Sequence, residues 1–441
     1  VYLEARFYSP ERLGHSAPSP AQSYTDGTTP DPPIRVSLRG VKRPVHHSVV
    51  AGWLALSLAA TGCRRGRDAA DSRATKIGII TAVTGTQAAF GQAHQRGYAI
   101  ALEEINAAGG VLGKPLELDV YDDQSKPDIA LQGASKLIDQ DRVPIVIGSY
   151  SSESTLALVP TVTRKQVPLV VPTATADNVI EQRSPWVFRL CAGSADYAAA
   201  MADFLKNHGS PTTIALVYEN TNFGQSQGAS MRKAATQNQM TVVDEEAYGA
   251  GSPSYSPLLQ RVQERKPEVV YFASYLLDAT SLMRQSRQVG LNARFFAAAG
   301  TGFTAAEFPT EDKGAGKDAE YTVAASQWVP QVAWPGAKEF DEKFVRKYGA
   351  HPAYHALEAY AALMVAVAAI KQANGQQPAA IREALKSVRI DSAFGPIHFG
   401  DDGQNQHPVV ITQIQKGKQV VVWPKEVAVA PVLDTPPWSA R

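Results

Sequence analysis

Hydroxyl groups gather at two places in this sequence where they could hold an anion. Residues 148–155 read GSYSSEST and residues 172–175 read PTAT, each directly after a short apolar run, 144–147 and 168–171. In an open α/β sheet, ligands settle beyond the carboxyl ends of the strands. Free backbone N–H groups and Ser or Thr hydroxyls at a helix start make an anion cradle there. A ligand carboxylate could take several such bonds, each worth roughly 1.5–3 kcal/mol when one partner is charged. Either loop alone reads as ordinary helix capping, but two at neighbouring strand ends point to a bound group.

Other chemistry is poorly represented. The sequence has no Gly-x-Ser-x-Gly elbow, no His-Glu-x-x-His and no Cys-x-x-Cys. Residues 314–317 (GAGK) look like the end of a phosphate loop, but Asp318 stands where Ser or Thr is needed, so they read as a surface turn. Residues 300–305 (GTGFTA) fit a dinucleotide-binding glycine pattern after a strand. Glu320, however, precedes the next apolar run instead of ending it, where a ribose-binding acid belongs. A nucleotide-dependent oxidoreductase is therefore the weaker reading. His351 and His355 are spaced i, i+4 with Pro352 between them and no third ligand near, and Asp122-Asp123 reads as a turn cap. No metal and no cofactor is implied.

Alternating strand-like and helix-like segments must position the hydroxyl loops. Apolar runs at 76–82, 116–121, 144–147 and 168–171 are separated by helical patterns at 92–108, 127–139 and 154–164. A second series places strands at 212–218, 241–246, 268–273 and 294–298, with helices at 223–235, 255–265 and 278–289 between them. Short links make such sheets parallel. The expected architecture is α/β, with two doubly wound parallel-sheet lobes. Helices near 336–348, 352–372 and 378–387 and strands near 397–399, 409–415 and 419–422 are too few for a third domain and should complete the two lobes. The chain then crosses between lobes three times, near 191–195, 325–330 and 389–392. That gives residues 76–193 with 328–389 in the first lobe, 194–327 with 390–425 in the second, and a tail at 426–441.

Composition agrees. Of 441 residues, 44% are hydrophobic and 19% charged, which excludes disordered and fibrous classes. A net charge of +1 offers no basic field for nucleic acid. Two cysteines, Cys63 and Cys191, can build neither a disulfide framework nor a four-ligand zinc site. Residues 1–40 show no periodicity and read as disordered or as sequence upstream of the true start. A basic stretch (Lys42, Arg43) then precedes an apolar run at 49–60, too short to span a bilayer but of secretory-signal length. Its end, AATGC, is similar to a bacterial lipoprotein signal, although Ala60 replaces the usual Leu. Cleavage there leaves Cys63 as the lipid-bearing residue on a tether at 63–75 and the protein outside the cytoplasm. Cys191 is then expected to be a buried free thiol. The apolar segment 356–370 is short and carries Glu358, so it reads as a core helix.

The segments KIGIITAVTGTQAAFGQAHQRGYAIALEEINAAGGVLGKPLEL (76–118) and DDQSKP (122–127), the two hydroxyl loops, LMRQSRQVGL (282–291) and GPIHFGDDG (395–403) resemble, taken together, one known group. It is the Leu/Ile/Val-binding branch of the type I periplasmic binding proteins of ABC transporters, and the likeness runs from Lys76 to about Val422. The resemblance implies a two-lobed clamp with three hinge strands, closing over a small ligand. It implies that Ser152, Thr173 and Thr175 hold the ligand's carboxylate and ammonium, that Phe90 lines its side chain with Tyr150 from the first hydroxyl loop, and that Phe223 and Tyr275 add aromatic rings from the second lobe. The acid that pairs with an ammonium in amino-acid binders matches Ala299, so another acid (Glu153, Asp177 or Asp278) must reach in, or the ligand is an aromatic acid or an amide. The expected function is extracytoplasmic capture of a small carboxylate-bearing molecule for a membrane permease, without catalysis, as a monomer. A ligand sensor of the same fold is the alternative.

Overall fold

A run as uninterrupted as TKIGIIT is stable as a strand where helices cover both of its faces. In the computed structural model, which describes residues 6–8 and 74–441, strand Thr75–Thr81 has Ile77, Ile79 and Ile80 fully buried. It pairs in parallel with Leu116–Asp122 on one side and Val146–Ile147 on the other. Leu169–Val171 and Val187–Arg189 continue the sheet, also in parallel. Helices Ala88–Ala107, Pro127–Ser135 and Ser152–Lys165 link successive strands. Residues 1–40 were expected to lack regular structure, yet Arg6–Tyr8 adds a short edge strand parallel to Asp119–Tyr121. The free N–H and C=O groups along Leu116–Asp122 are the template that an unpaired edge offers. The export segment, the expected lipid-bearing Cys63 and nearly all of the tether lie outside the described residues.

The second sheet has the order Lys418–Trp423, Val410–Gln415, Val323–Ser326, Phe295–Ala298, Val269–Ala273, Thr213–Glu219, Thr241–Tyr248. Its last five strands are parallel, but the first two are antiparallel, so this lobe is not wholly parallel as expected. The reason is local. Lys416 and Gly417 both take positive φ (55° and 70°), the conformation of a tight two-residue hairpin turn.

The chain passes between the two cores three times, through links at 190–193, 326–328 and 405–410, since Leu190, Trp328 and Phe399 pack in the first lobe and Ala192, Ala325 and Ile411 in the second. The third lies later than the expected 389–392. Phe394, Ile397 and Phe399 are buried in the first lobe's core with Trp328, and Gln404 bridges Arg189 at the edge of the first sheet. These apolar residues hold 390–405 on the first lobe, and the chain enters the second sheet only from Val410, with the hairpin Val410–Gln415 and Lys418–Trp423. Helix Ser194–Asn207, which the sequence reading passed over, starts directly after the first link and buries Tyr197, Met201, Phe204 and Leu205. The expected tail is not free either, since Trp438 packs on Phe296 and donates its indole N–H to Leu291 O at 2.6 Å.

Helix Tyr354–Gln372 is long and apolar enough to cross a membrane, but Leu357, Ala361, Leu363, Val365 and Ile370 are fully buried inside the first lobe. It lies against Ala88–Ala107 so closely that a Cβ on Gly97 would stand 1.9 Å from Ala356 O.

Candidate functional site

Strand Val146–Ile147 ends in the first hydroxyl loop, and its serines divide their work. Ser151 caps helix Ser152–Lys165, its Oγ accepting the N–H of Ser154 at 3.1 Å. Ser152 is left for another role, and its Oγ accepts the N–H of Ala176 at 3.2 Å. Thr173 donates its hydroxyl to Tyr150 O at 3.0 Å, so the two loops are bonded to each other in both directions. Thr175 Oγ1 accepts from Gln227 Nε2 at 3.3 Å, and Gln227 belongs to helix Asn222–Gln237 of the second lobe. The lobes also meet where Asp177 N–H donates to Ser226 Oγ at 3.0 Å and Phe223 N–H donates to Glu153 Oε1 at 3.4 Å.

The aromatic residues converge on the same place. Phe90 stacks on Tyr150 with ring centroids 4.6 Å apart and planes 7° from parallel. Both rings face Tyr275 of the second lobe, at 6.1 and 5.9 Å, and Tyr275 packs on Phe223 at 5.0 Å. Ser152, Thr173, Thr175, Phe90, Tyr150, Phe223 and Tyr275 thus come from separate parts of the chain to one interlobe surface. Ala299 is buried in the second lobe's core with Phe223 and brings no polar side-chain atom to it.

Each acid that could replace the one missing at Ala299 has protein partners. Glu153 accepts from Phe223 N–H, Asp177 accepts from Ser230 Oγ at 3.0 Å, and Asp278 accepts the N–H of Gly251 at 3.0 Å. The sequence reading missed a further acid, Glu219, at the carboxyl end of Thr213–Glu219. It is 1% exposed, its Oε1 accepts the N–H of Tyr275 at 3.3 Å, and its Oε2 has no hydrogen-bond partner among the described residues. Burial, reinforced by the neighbouring Asp278 carboxyl, pushes its pKa up to about 9. The strand-end rule that picked out the hydroxyl loops would have found it.

Arg189 was also missed. Its guanidinium, 4% exposed, donates to Thr175 O at 3.0 Å and Ala176 O at 2.8 Å and so fixes the second hydroxyl loop from below. The links carry a second buried network. Gln327, in the second link, accepts from Ala192 N–H in the first. It donates to Tyr197 Oη and to Glu358 Oε1, each at 2.8 Å. Tyr197 belongs to the second lobe and Glu358 to the first.

The remaining motifs resolve as packing. Asp122 accepts from Thr84 Oγ1 at 2.6 Å and from Gln124 N–H at 2.9 Å, while Asp123 accepts from Ser125 N–H and Ser149 Oγ, so the pair fixes turns. Residues 301–304 form a buried 3₁₀ turn in which a Cβ on Gly302 would stand 2.6 Å from Ser274 O, leaving no room for a phosphate. Glu320 accepts the backbone N–H groups of Lys416 and Gly417 and so holds the hairpin turn. Gly316 and Lys317 sit in a short turn tied to Glu311. His351 is exposed and bonded to Asp341 at 2.7 Å, whereas His355 is buried against Phe90 at 4.9 Å, so the two do not form a pair. Cys191 is a buried free thiol beside Ala174 O, and burial raises its pKa.

The chain is similar to known proteins over most of its length. A family model described as periplasmic binding protein matches residues 74–419. The chain is 29% identical over 337 residues to an amino acid binding protein of Pseudomonas aeruginosa, covering 74% of this chain and 86% of that one. It is 27% identical over 328 residues to a leucine-, isoleucine-, valine-, threonine- and alanine-binding protein of the same organism, with 74% and 86% covered. The crystal structure of a leucine-binding protein, LivK, from Thermotoga maritima superposes with a TM-score of 0.74 at 27% identity, covering 79% of this chain and 97% of that one.

Proposed function

Because the chain belongs to the periplasmic binding protein family, in its Leu/Ile/Val-binding-like branch with the type I fold, we propose that it captures a small carboxylate-bearing ligand, an amino acid first of all, and delivers it to the membrane permease of an ABC importer. The family implies a location outside the cytoplasm. The observation that carries the reading is the mutual bonding of two hydroxyl loops, with Ser152, Thr173 and Thr175 set against Phe90, Tyr150, Phe223 and Tyr275 at the interlobe surface. Micromolar capture needs about 8 kcal/mol, within reach of a few charge-assisted bonds plus aromatic burial. A ligand that binds the closed arrangement better than the open one shifts the population toward it, and a permease can recognise that difference.

The test is ligand-induced thermal stabilisation across amino acids, aromatic acids, amides and short dicarboxylates. The double variant Ser152→Ala/Thr175→Ala should lose the shift seen in the wild-type protein while keeping its own cooperative unfolding. An undiminished shift would overturn the carboxylate cradle. Ala299 favours, as a second reading, an aromatic acid without an ammonium group, and the same screen separates the two.

Lipid attachment through Cys63 completes the proposal. Each buried methylene of an acyl chain adds about 0.8 kcal/mol of membrane affinity. Cys63→Ser should therefore move the protein from the membrane fraction to the soluble one, and retention in the membrane would refute the anchor.

A further inference from the structure

Four buried polar side chains stand directly behind the aromatic pair of the first lobe. His94 and Tyr98 follow Phe90 at intervals of four on helix Ala88–Ala107, while His355 and Glu358 lie on the facing helix Tyr354–Gln372. All are between 0% and 3% exposed. His355 packs on Phe90 and Tyr150 at 4.9 and 5.6 Å, and His94 packs on Tyr150 at 5.5 Å and Tyr98 at 5.9 Å. Each retains a polar atom with no hydrogen-bond partner among the described residues: His94 Nε2, Tyr98 Oη, His355 Nδ1 and Glu358 Oε2. Buried polar groups are nearly always paired, so four unpaired ones on two touching helices call for a shared explanation.

Tyr150 connects this cluster to the hydroxyl loops, since its carbonyl accepts from Thr173 while its ring contacts both imidazoles. We infer that His94, Tyr98, His355 and Glu358 form a second polar subsite, which receives a neutral hydroxyl group at the end of the ligand remote from its carboxylate. The inference rests on the carboxylate-binding reading above and adds a ligand class to it: small hydroxylated carboxylic acids in preference to their apolar counterparts.

The charge state of the cluster suits a neutral group. Burial holds His94 at about 3 and His355 well below the ordinary imidazole range, and it holds Glu358 well above the ordinary carboxyl range. Near neutral pH the subsite is thus two uncharged imidazoles, a phenol and a carboxylic acid. A hydroxyl both donates and accepts, so it can bond an imidazole nitrogen and a phenol or carboxylic acid together. A charged terminus would enter without an opposite charge to meet it.

The test is calorimetric titration of the full-length protein with three matched pairs: valine and threonine, phenylalanine and tyrosine, benzoate and 4-hydroxybenzoate. The expected result is that, in at least one pair, the hydroxylated member binds tenfold or more tightly than its partner. In Tyr98→Phe and His355→Phe, which preserve ring shape, that ratio should fall below threefold while affinity for the apolar member stays within threefold of wild type. Equal affinities within every pair that binds would overturn the subsite and leave the carboxylate cradle standing, as would a tenfold ratio that persists in both folded variants. If none of the six acids binds, the hydroxyl subsite is overturned, while the carboxylate cradle is decided separately by the wider thermal screen and the Ser152→Ala/Thr175→Ala variant.

Discussion

Gly97→Ala should destabilise the protein by about 2–3 kcal/mol, although the same change in an open helix stabilises by roughly 1 kcal/mol. The reversal follows from contact between two helices. A Cβ on Gly97 would sit 1.9 Å from Ala356 O and 2.8 Å from its carbonyl carbon, both backbone atoms that no rotamer change can move. Helices Ala88–Ala107 and Tyr354–Gln372 must then separate, and the buried core they share, which includes Leu102 and Leu357, loses close packing. Urea unfolding of wild type and variant measures the difference. A variant as stable as wild type, or more stable, would show that the helices do not touch as described.

Glu219→Gln should change the pH dependence of stability with a definite sign. The Glu219 carboxyl moves from an ordinary value of 4.5 to about 9 on folding. A group whose pKa rises on folding contributes its full stability below the lower value and loses it as pH climbs toward the higher one. Glutamine cannot ionise, so it escapes that loss. The stability of the variant relative to wild type should therefore increase by about 4 kcal/mol between pH 5 and pH 8, at 1.36 kcal/mol for each unit of pH across the window. Urea unfolding at the two pH values isolates the effect, because all other groups are common to both proteins. A difference independent of pH would show that Glu219 is ionised in the folded protein.

Much of this molecule is legible where the signal is local. Strands such as Thr75–Thr81 and Val269–Ala273 are continuous apolar runs, and the helices after them carry clear periodicity. Val187–Arg189 escaped notice because three residues carry no period. Helix Ser194–Asn207 had a readable stripe at Tyr197, Met201 and Leu205, but it begins where a link was expected, and the link obscured it. The third link was misplaced because its position depends on which core takes Phe394 and Phe399, a tertiary choice that leaves no mark in the local pattern.

The candidate site divides in the same way. Strand-end position exposes the two hydroxyl loops, and family resemblance adds Phe90, Phe223 and Tyr275. Arg189 acts on carbonyls 13 and 14 residues away, and Gln227 meets Thr175 52 residues away across the interlobe surface. Nothing in the neighbouring sequence marks either one. Glu219 alone was within reach of the rule already in use, since it ends a strand.

The placement of Gln327 bears on how the halves can turn. One side chain grips the backbone of the first link, a phenol of one half and a carboxyl of the other, all in a dry interior. Twisting either of these links by itself would strip bonds that no solvent is present to replace, at about 1–3 kcal/mol for each group left bare. The two links are thereby yoked, so that a twist confined to one of them is resisted through the other.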